Sequence, residues 1–323
     1  MLDRRSIQLS VDRHLRSALD AVPDGVCRRL ETVLAQRRLL TPDPAPYFGP
    51  LGHPLFELPV WVAGRLGDDG TEIPEETLSD VLGVSALGYL HVRAQDDWLD
   101  GAARDDPGLV ALAEALMALC VRLLVPAVGP SRRFWDLHAE VLTSYAGSLI
   151  RTHQLRKDDG PVARADFEQL LAQSRPLILP SAALLARADR WELLAPLEEF
   201  VFTATAASQL VNDLTDLHRD RASGHPTWAL QVVGESGVEG LWTRTGPVQQ
   251  LVEQALAFHD RSVRAVRELV SATAEGWIAE RGAAIEALPD ALRTSVVTSF
   301  VERLGRSAGR AEQKSDRREE QSS

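Results

Sequence analysis

Cysteine is nearly absent from this chain. Cys27 and Cys120 are the only two in 323 residues, too few and too far apart for a disulfide framework or a zinc motif, and their scarcity suits a reducing, cytoplasmic compartment. Apolar runs are short, so no membrane span is expected. Asp3, Arg4 and Arg5 are followed by no apolar stretch, which argues against a signal peptide. Basic residues are outnumbered: 35 Lys and Arg against 46 Asp and Glu leave a net charge of −11. That balance speaks against a nucleic-acid partner held through its phosphates. An anionic substrate would need local help from cations. Several signatures are missing as well. The chain has no His-Glu-x-x-His, no Cys-x-x-Cys and no Gly-x-x-x-x-Gly-Lys-Ser/Thr, which removes the usual zinc and P-loop readings. No Glu has a His three residues later, as a di-iron helical bundle would require.

What is present is helical periodicity. The pattern predicts helices near 6–19, 24–39, 55–66, 75–101, 107–127, 131–156, 164–188, 191–221, 246–274 and 276–305. Pro- and Gly-rich breakers separate them, among them the run from Thr41 to Pro46, Gly67 to Gly70, Asp106 to Gly108 and Ser223 to Pro226. No run of alternating strands stands out. From about Arg306 the composition turns polar and charged, too poor in apolar residues to fold. The expected organisation is one all-α domain over 1–305 with a disordered polar tail over 306–323.

Two acidic clusters fall on these helices. The first is Asp96-Asp97-Trp98-Leu99-Asp100 and the second is Asn212-Asp213-Leu214-Thr215-Asp216, followed by Asp220. A helix repeats its face every three to four residues, so Asp96 shares a face with Asp100, and Asn212, Asp216 and Asp220 stack along another. Each cluster prolongs an apolar stripe. Leu78, Leu82, Ser85, Tyr89 and Val92 lead to Asp96; Leu197, Val201, Ala204 and Ser208 lead to Asn212. Carboxylates gathered at a core-facing helix end repel one another and lose solvation, and bound cations are the simplest remedy. Rows of oxygen ligands suit Mg²⁺, which is usually held by a few carboxylates together with substrate phosphates.

With both motifs in place, the chain resembles the class I isoprenoid synthases, the superfamily of terpene cyclases and isoprenyl diphosphate synthases. Asp96-Asp97-Trp98-Leu99-Asp100 resembles the first Asp-Asp-x-x-Asp motif, and the stretch from Gln209 to Asp220 resembles the second. Asn212 is cyclase-like, whereas Asp216 and Asp220 are closer to the chain-elongating enzymes. The resemblance covers roughly residues 50–305. It implies a helical bundle around a central active-site cavity. It also implies about three Mg²⁺ ions held by Asp96, Asp97, Asp100, Asn212, Asp213, Asp216 and Asp220, and a prenyl diphosphate substrate of C15–C25, with C20 favoured. The family also uses a basic residue upstream of the second motif to sense the diphosphate. Arg175, followed by Pro176, is the first candidate. Arg151 and Arg164 are others, and Arg219 or Arg221 could reach the phosphates from beside the second motif. Candidate liners of the carbocation cavity are Phe56, Trp61, Tyr89, Phe202 and Trp228.

The implied activity is that of a terpene cyclase, which ionises one diphosphate and releases it. The alternative is a prenyltransferase joining an allylic diphosphate to a second substrate. The elongating enzymes' Gly-Lys-x-x-Arg-Pro segment is absent, and a single arginine, Arg104, follows the first motif; both facts favour the cyclase. The late Arg-Tyr pair of many bacterial cyclases is also absent. Related enzymes often pair as dimers, so a homodimer is expected.

Overall fold

A computed structural model describes residues 2–48, 54–99, 106–157, 162–224, 226–234, 246–269 and 274–294. Among them the chain is all-α. The helices are α1 (Arg4–Ala21), α2 (Asp24–Gln36), α3 (Glu57–Asp68), α4 (Glu75–Leu99), α5 (Pro107–Val128), α6 (Arg132–Lys157), α7 (Arg164–Leu170), α8 (Leu179–Ala188), α9 (Leu194–Ser223), α10 (Trp228–Val233), α11 (Pro247–Leu269) and α12 (Glu275–Glu286). Asp100 and the polar tail over 306–323 lie outside the described residues.

Most boundaries fall where the breakers place them. Pro107 opens α5 at its first turn, and the Asp106 side chain accepts from Gly108 N at 2.8 Å, satisfying an orphan N–H. α9 stops at Gly224, whose φ of 69° is left-handed and suits glycine. Two expectations need correction. The predicted single helix over 164–188 is three pieces: α7, a 3₁₀ segment over Leu171–Ile178, and α8. Pro176 and Pro180 explain the break, since neither supplies an N–H to an α-helical ladder. The predicted helix over 276–305 likewise ends as α12 at Glu286, with a turn at 287 before helical residues resume at 288–294.

Two apolar clusters hold the fold together. The larger joins α1 to α6, α8, the first half of α9, the end of α11 and the start of α12, through residues such as Leu15, Leu82, Leu112, Phe134, Leu185 and Phe200. The smaller gathers Phe167, Leu210, Leu214, Val233, Leu251 and Ile285 from α7, α9, α10, α11 and α12. α9 runs through both. α5 is, by length and composition, the one described helix apolar enough to cross a membrane. In this fold it lies along α4 and buries Leu109, Leu112, Leu116, Cys120 and Leu124. α4 is also approached closely by α1. A Cβ on Gly83 would stand 2.6 Å from the His14 ring and 2.9 Å from Leu123 Cδ1, so glycine sets that spacing.

Candidate functional site

The apolar stripes of α4 and α9 lead into one cavity of about 670 Å³, within the size range of small-ligand pockets. On α4, Leu78, Leu82 and Ser85 are buried in the core, and Tyr89, Val92 and Asp96 continue their face onto the cavity wall. On α9, Leu197, Val201 and Ala204 are buried, and Ser208 and Asn212 follow onto the opposite wall with Thr205, Gln209 and Asp213. The helical repeat therefore delivers one carboxylate of the first cluster, Asp96, and Asn212 and Asp213 of the second to the same space. The rest of the lining is largely apolar, with Leu155, Phe167, Leu171 and Leu177 from α6, α7 and the 3₁₀ segment.

Asp213 is the deepest carboxylate of the pair. It is 5% exposed and accepts from Gln209 Nε2 at 2.7 Å. Burial, with the Asp220 and Asp216 charges behind it, pushes its pKa up to about 7, against the hydrogen bond from Gln209. Asp96 and Asp97 are half-buried and neutralised within the protein. Arg93 Nη1 donates to Asp96 Oδ2 at 3.0 Å, and Arg37 Nη2, from the end of α2, reaches both oxygens of Asp97 at 3.0 and 3.2 Å.

The other expected residues are spread more widely. Asp216 and Asp220 lie further along α9, beyond the residues that line the cavity. Arg219, largely exposed, pairs with Asp216 at 2.5 Å and lies 4.0 Å from Asp220. Arg175 is not in the cavity wall. Its Nη2 is engaged by Glu140 at 2.8 Å and Glu198 at 2.9 Å, beside a separate pocket of about 450 Å³ that also carries Phe202. Arg151 donates to Asp166, Arg164 to Glu168 and Arg221 to the Gly234 carbonyl. Of the aromatic candidates, Phe56, Tyr89 and Trp228 line the cavity, whereas Trp61 packs on Trp277 with ring centroids 5.7 Å apart.

Sequence reasoning passed over three groups. Arg93 sits one turn before Asp96 on the cavity wall, a position the helical spacing could have signalled. The segment from Leu39 to Tyr47, of which Thr41 to Pro46 was read only as a breaker, forms a side of the cavity through Leu39, Ala45, Pro46 and Tyr47. It is pinned where Tyr47 Oη accepts from Leu40 N at 2.8 Å and donates to Asp12 at 2.5 Å. Thr205 Oγ1 lines the cavity and is buried without a hydrogen-bond partner. No local pattern announces such an atom.

The donor set fits a hard divalent cation in kind. The ligands on offer are oxygen atoms from Asp96, Asn212 and Asp213, and the crowded carboxylates of α9 gain from a nearby positive charge. Among the described residues no three His, Cys, Asp or Glu side chains converge as a ready-made metal cluster. Mg²⁺ does not require one, because it rests on one or two carboxylates and completes its shell with water and substrate phosphate. Compared with known proteins, this chain matches no protein-family description and shows no significant sequence similarity to a curated protein.

Proposed function

We propose that this chain is a Mg²⁺-dependent class I isoprenoid synthase, acting as a terpene cyclase on a linear prenyl diphosphate of C15–C25. One observation carries the reading: a single, mostly apolar cavity has Asp96 on one wall and Asn212 with Asp213 on another. An ionic head and a hydrocarbon tail are the two halves of a prenyl diphosphate, and this cavity combines carboxylate-bearing walls with a largely apolar lining.

Asp96, Asn212 and Asp213 would hold the cation, with Asp97, Asp100, Asp216 and Asp220 as the remaining acidic groups of the two motifs. Bound Mg²⁺ supplies Lewis-acid neutralisation of the diphosphate charge. The chain's own contribution is placement and enclosure. α4 and α9 orient the ionic head between them. Leu155, Phe167, Leu171 and Leu177 exclude the water that would quench a carbocation. The faces of Phe56, Tyr89 and Trp228 offer cation–π stabilisation to positive charge on the chain.

A second reading, prenyl transfer from an allylic diphosphate to a second substrate, draws support from a neighbouring groove. It is lined by Trp98, Val110, Ala113, Ala146 and Ile150, and it shares Leu99, Leu149 and His153 with the cavity. The hydrocarbon part of a second substrate there would lie against the cavity wall. One experiment separates the two. Purified protein with Mg²⁺ is incubated with C10, C15, C20 and C25 prenyl diphosphates, with and without isopentenyl diphosphate, and extracts are analysed by mass spectrometry. A hydrocarbon or alcohol from one substrate alone supports the cyclase. A longer diphosphate made only with isopentenyl diphosphate supports prenyl transfer. Absence of diphosphate release in every tube, or turnover indifferent to EDTA, overturns the reading.

A further inference from the structure

We propose that Arg93 is the anion-binding residue of the cavity, held in reserve by Asp96 and Asp97 until a cation takes their charge. The inference rests on the isoprenoid-synthase reading and names the group that would receive the diphosphate. Arg93 is the one arginine or lysine among the described residues that line the cavity. Its Nη1 donates to Asp96 at 3.0 Å and its Nη2 approaches Asp97 at 3.5 Å, while its Nε is buried without a hydrogen-bond partner. A guanidinium carries five N–H donors, so this side chain has capacity to spare on the cavity wall.

The pairing can be exchanged without leaving a carboxylate bare. Arg37 holds both oxygens of Asp97 independently, so Asp97 stays neutralised when Arg93 leaves. A divalent cation on Asp96 competes for the oxygen that Arg93 occupies. Two arginines and two aspartates balance before that event, and afterwards the cluster carries surplus positive charge. A diphosphate is the complementary ligand, and the guanidinium fork matches two phosphate oxygens at once. Arg175 has no such opening. Two carboxylates share its Nη2, and it faces the separate pocket.

The test is calorimetric titration of the whole protein with Mg²⁺ alone, and with inorganic diphosphate in the presence of Mg²⁺. Arg93→Gln should weaken diphosphate binding at least about tenfold, a loss in keeping with a charge-assisted bidentate contact. Mg²⁺ alone should bind this variant as tightly as wild type or tighter, because a competitor for Asp96 is gone. An Arg93→Gln protein that binds diphosphate within about twofold of wild type overturns the proposal. So does a larger loss in Arg175→Gln. Should Arg93→Gln not fold, Arg93→Lys decides: it keeps the charge and loses the fork. A drop of about threefold or more supports the proposal, and affinity equal to wild type overturns it. Wild-type protein that binds no diphosphate with Mg²⁺ removes the functional reading itself, a result distinct from a failure of the Arg93 assignment alone.

Discussion

Arg281 Nη2 donates to Ser208 Oγ at 2.7 Å and to the Ala204 carbonyl at 2.8 Å, tying α12 to the turn of α9 that precedes Asn212. The guanidinium is fully buried, 5.0 Å from the centre of the Trp277 ring, and burial lowers its pKa to about 10. A charge this deep is held by its contacts, and those contacts reach the helix that forms one cavity wall.

Arg281→Ala removes the hydrogen bonds and leaves a void. The expected loss is about 3–5 kcal/mol of unfolding free energy. Arg281→Met fills most of the volume and relieves the desolvation of a buried cation, so its cost should be nearer about 1–2 kcal/mol. Urea denaturation of both variants checks the ordering. Equal losses would show that the void left by Arg281→Ala costs nothing beyond the hydrogen bonds that both variants lose.

Asp213 makes stability depend on pH. Its pKa is about 7 in the folded protein, against an ordinary 3.8. A carboxyl with a raised folded-state pKa binds its proton more tightly when folded. Its stabilising contribution is therefore complete below about pH 4 and lost as pH rises through about 7. Asp213→Asn should remove that slope. The stability of wild type relative to the variant should fall between about pH 4 and 7 by up to about 4 kcal/mol, in the absence of Mg²⁺. Denaturant melts at several pH values test this, and parallel curves would sink it.

Tyr89, with Leu55, Val92 and Leu177, lines both the main cavity and a much smaller one of about 30 Å³. Tyr89→Ala should join them and shift preference toward longer prenyl diphosphates, at a stability cost of about 2–4 kcal/mol. The ratio of kcat/KM for C25 over C15 is the readout. An unchanged ratio would mean that the chain does not extend to this wall.

Asp96→Ala should lower turnover about a thousandfold or more, the scale of losing a positioned electrostatic contact to the transition state. It should also free Arg93 from its partner at 3.0 Å without unfolding the protein, since Asp96 is only half-buried. Circular dichroism with a product assay separates the two effects. Wild-type turnover would remove Asp96 from the site.

Much of this arrangement is readable along the chain. α4 and α9 were legible because leucine, valine, serine and asparagine recur at helical spacing, and that spacing is set locally by backbone geometry. The same periodicity carried Asp96 and Asn212 onto core-facing stripes, and the two stripes meet in one cavity. Proline chemistry was legible at Pro107 and, in part, at Pro176. The break at Pro176 extends over the whole 3₁₀ segment Leu171–Ile178.

Long-range partners were not legible, because nothing in the local spacing of a charged residue says which opposite charge the fold will bring to it. Arg175 reads as free for a phosphate, yet Glu198 stands 2.9 Å from it, 23 residues on in sequence. Nothing in the spacing of Arg37 points to Asp97, yet it closes on that residue from 60 residues away. Arg281 lies 73 residues from Ser208 and becomes part of the scaffold behind the cavity wall. The sequence by itself determined that the chain is helical, that its acidic clusters prolong buried stripes, and where most of its helices break, since each follows from periodicity and from proline and glycine backbone limits. Only the tertiary structure decided which arginine faces the cavity and which is held elsewhere, because that depends on how helices distant in sequence pack.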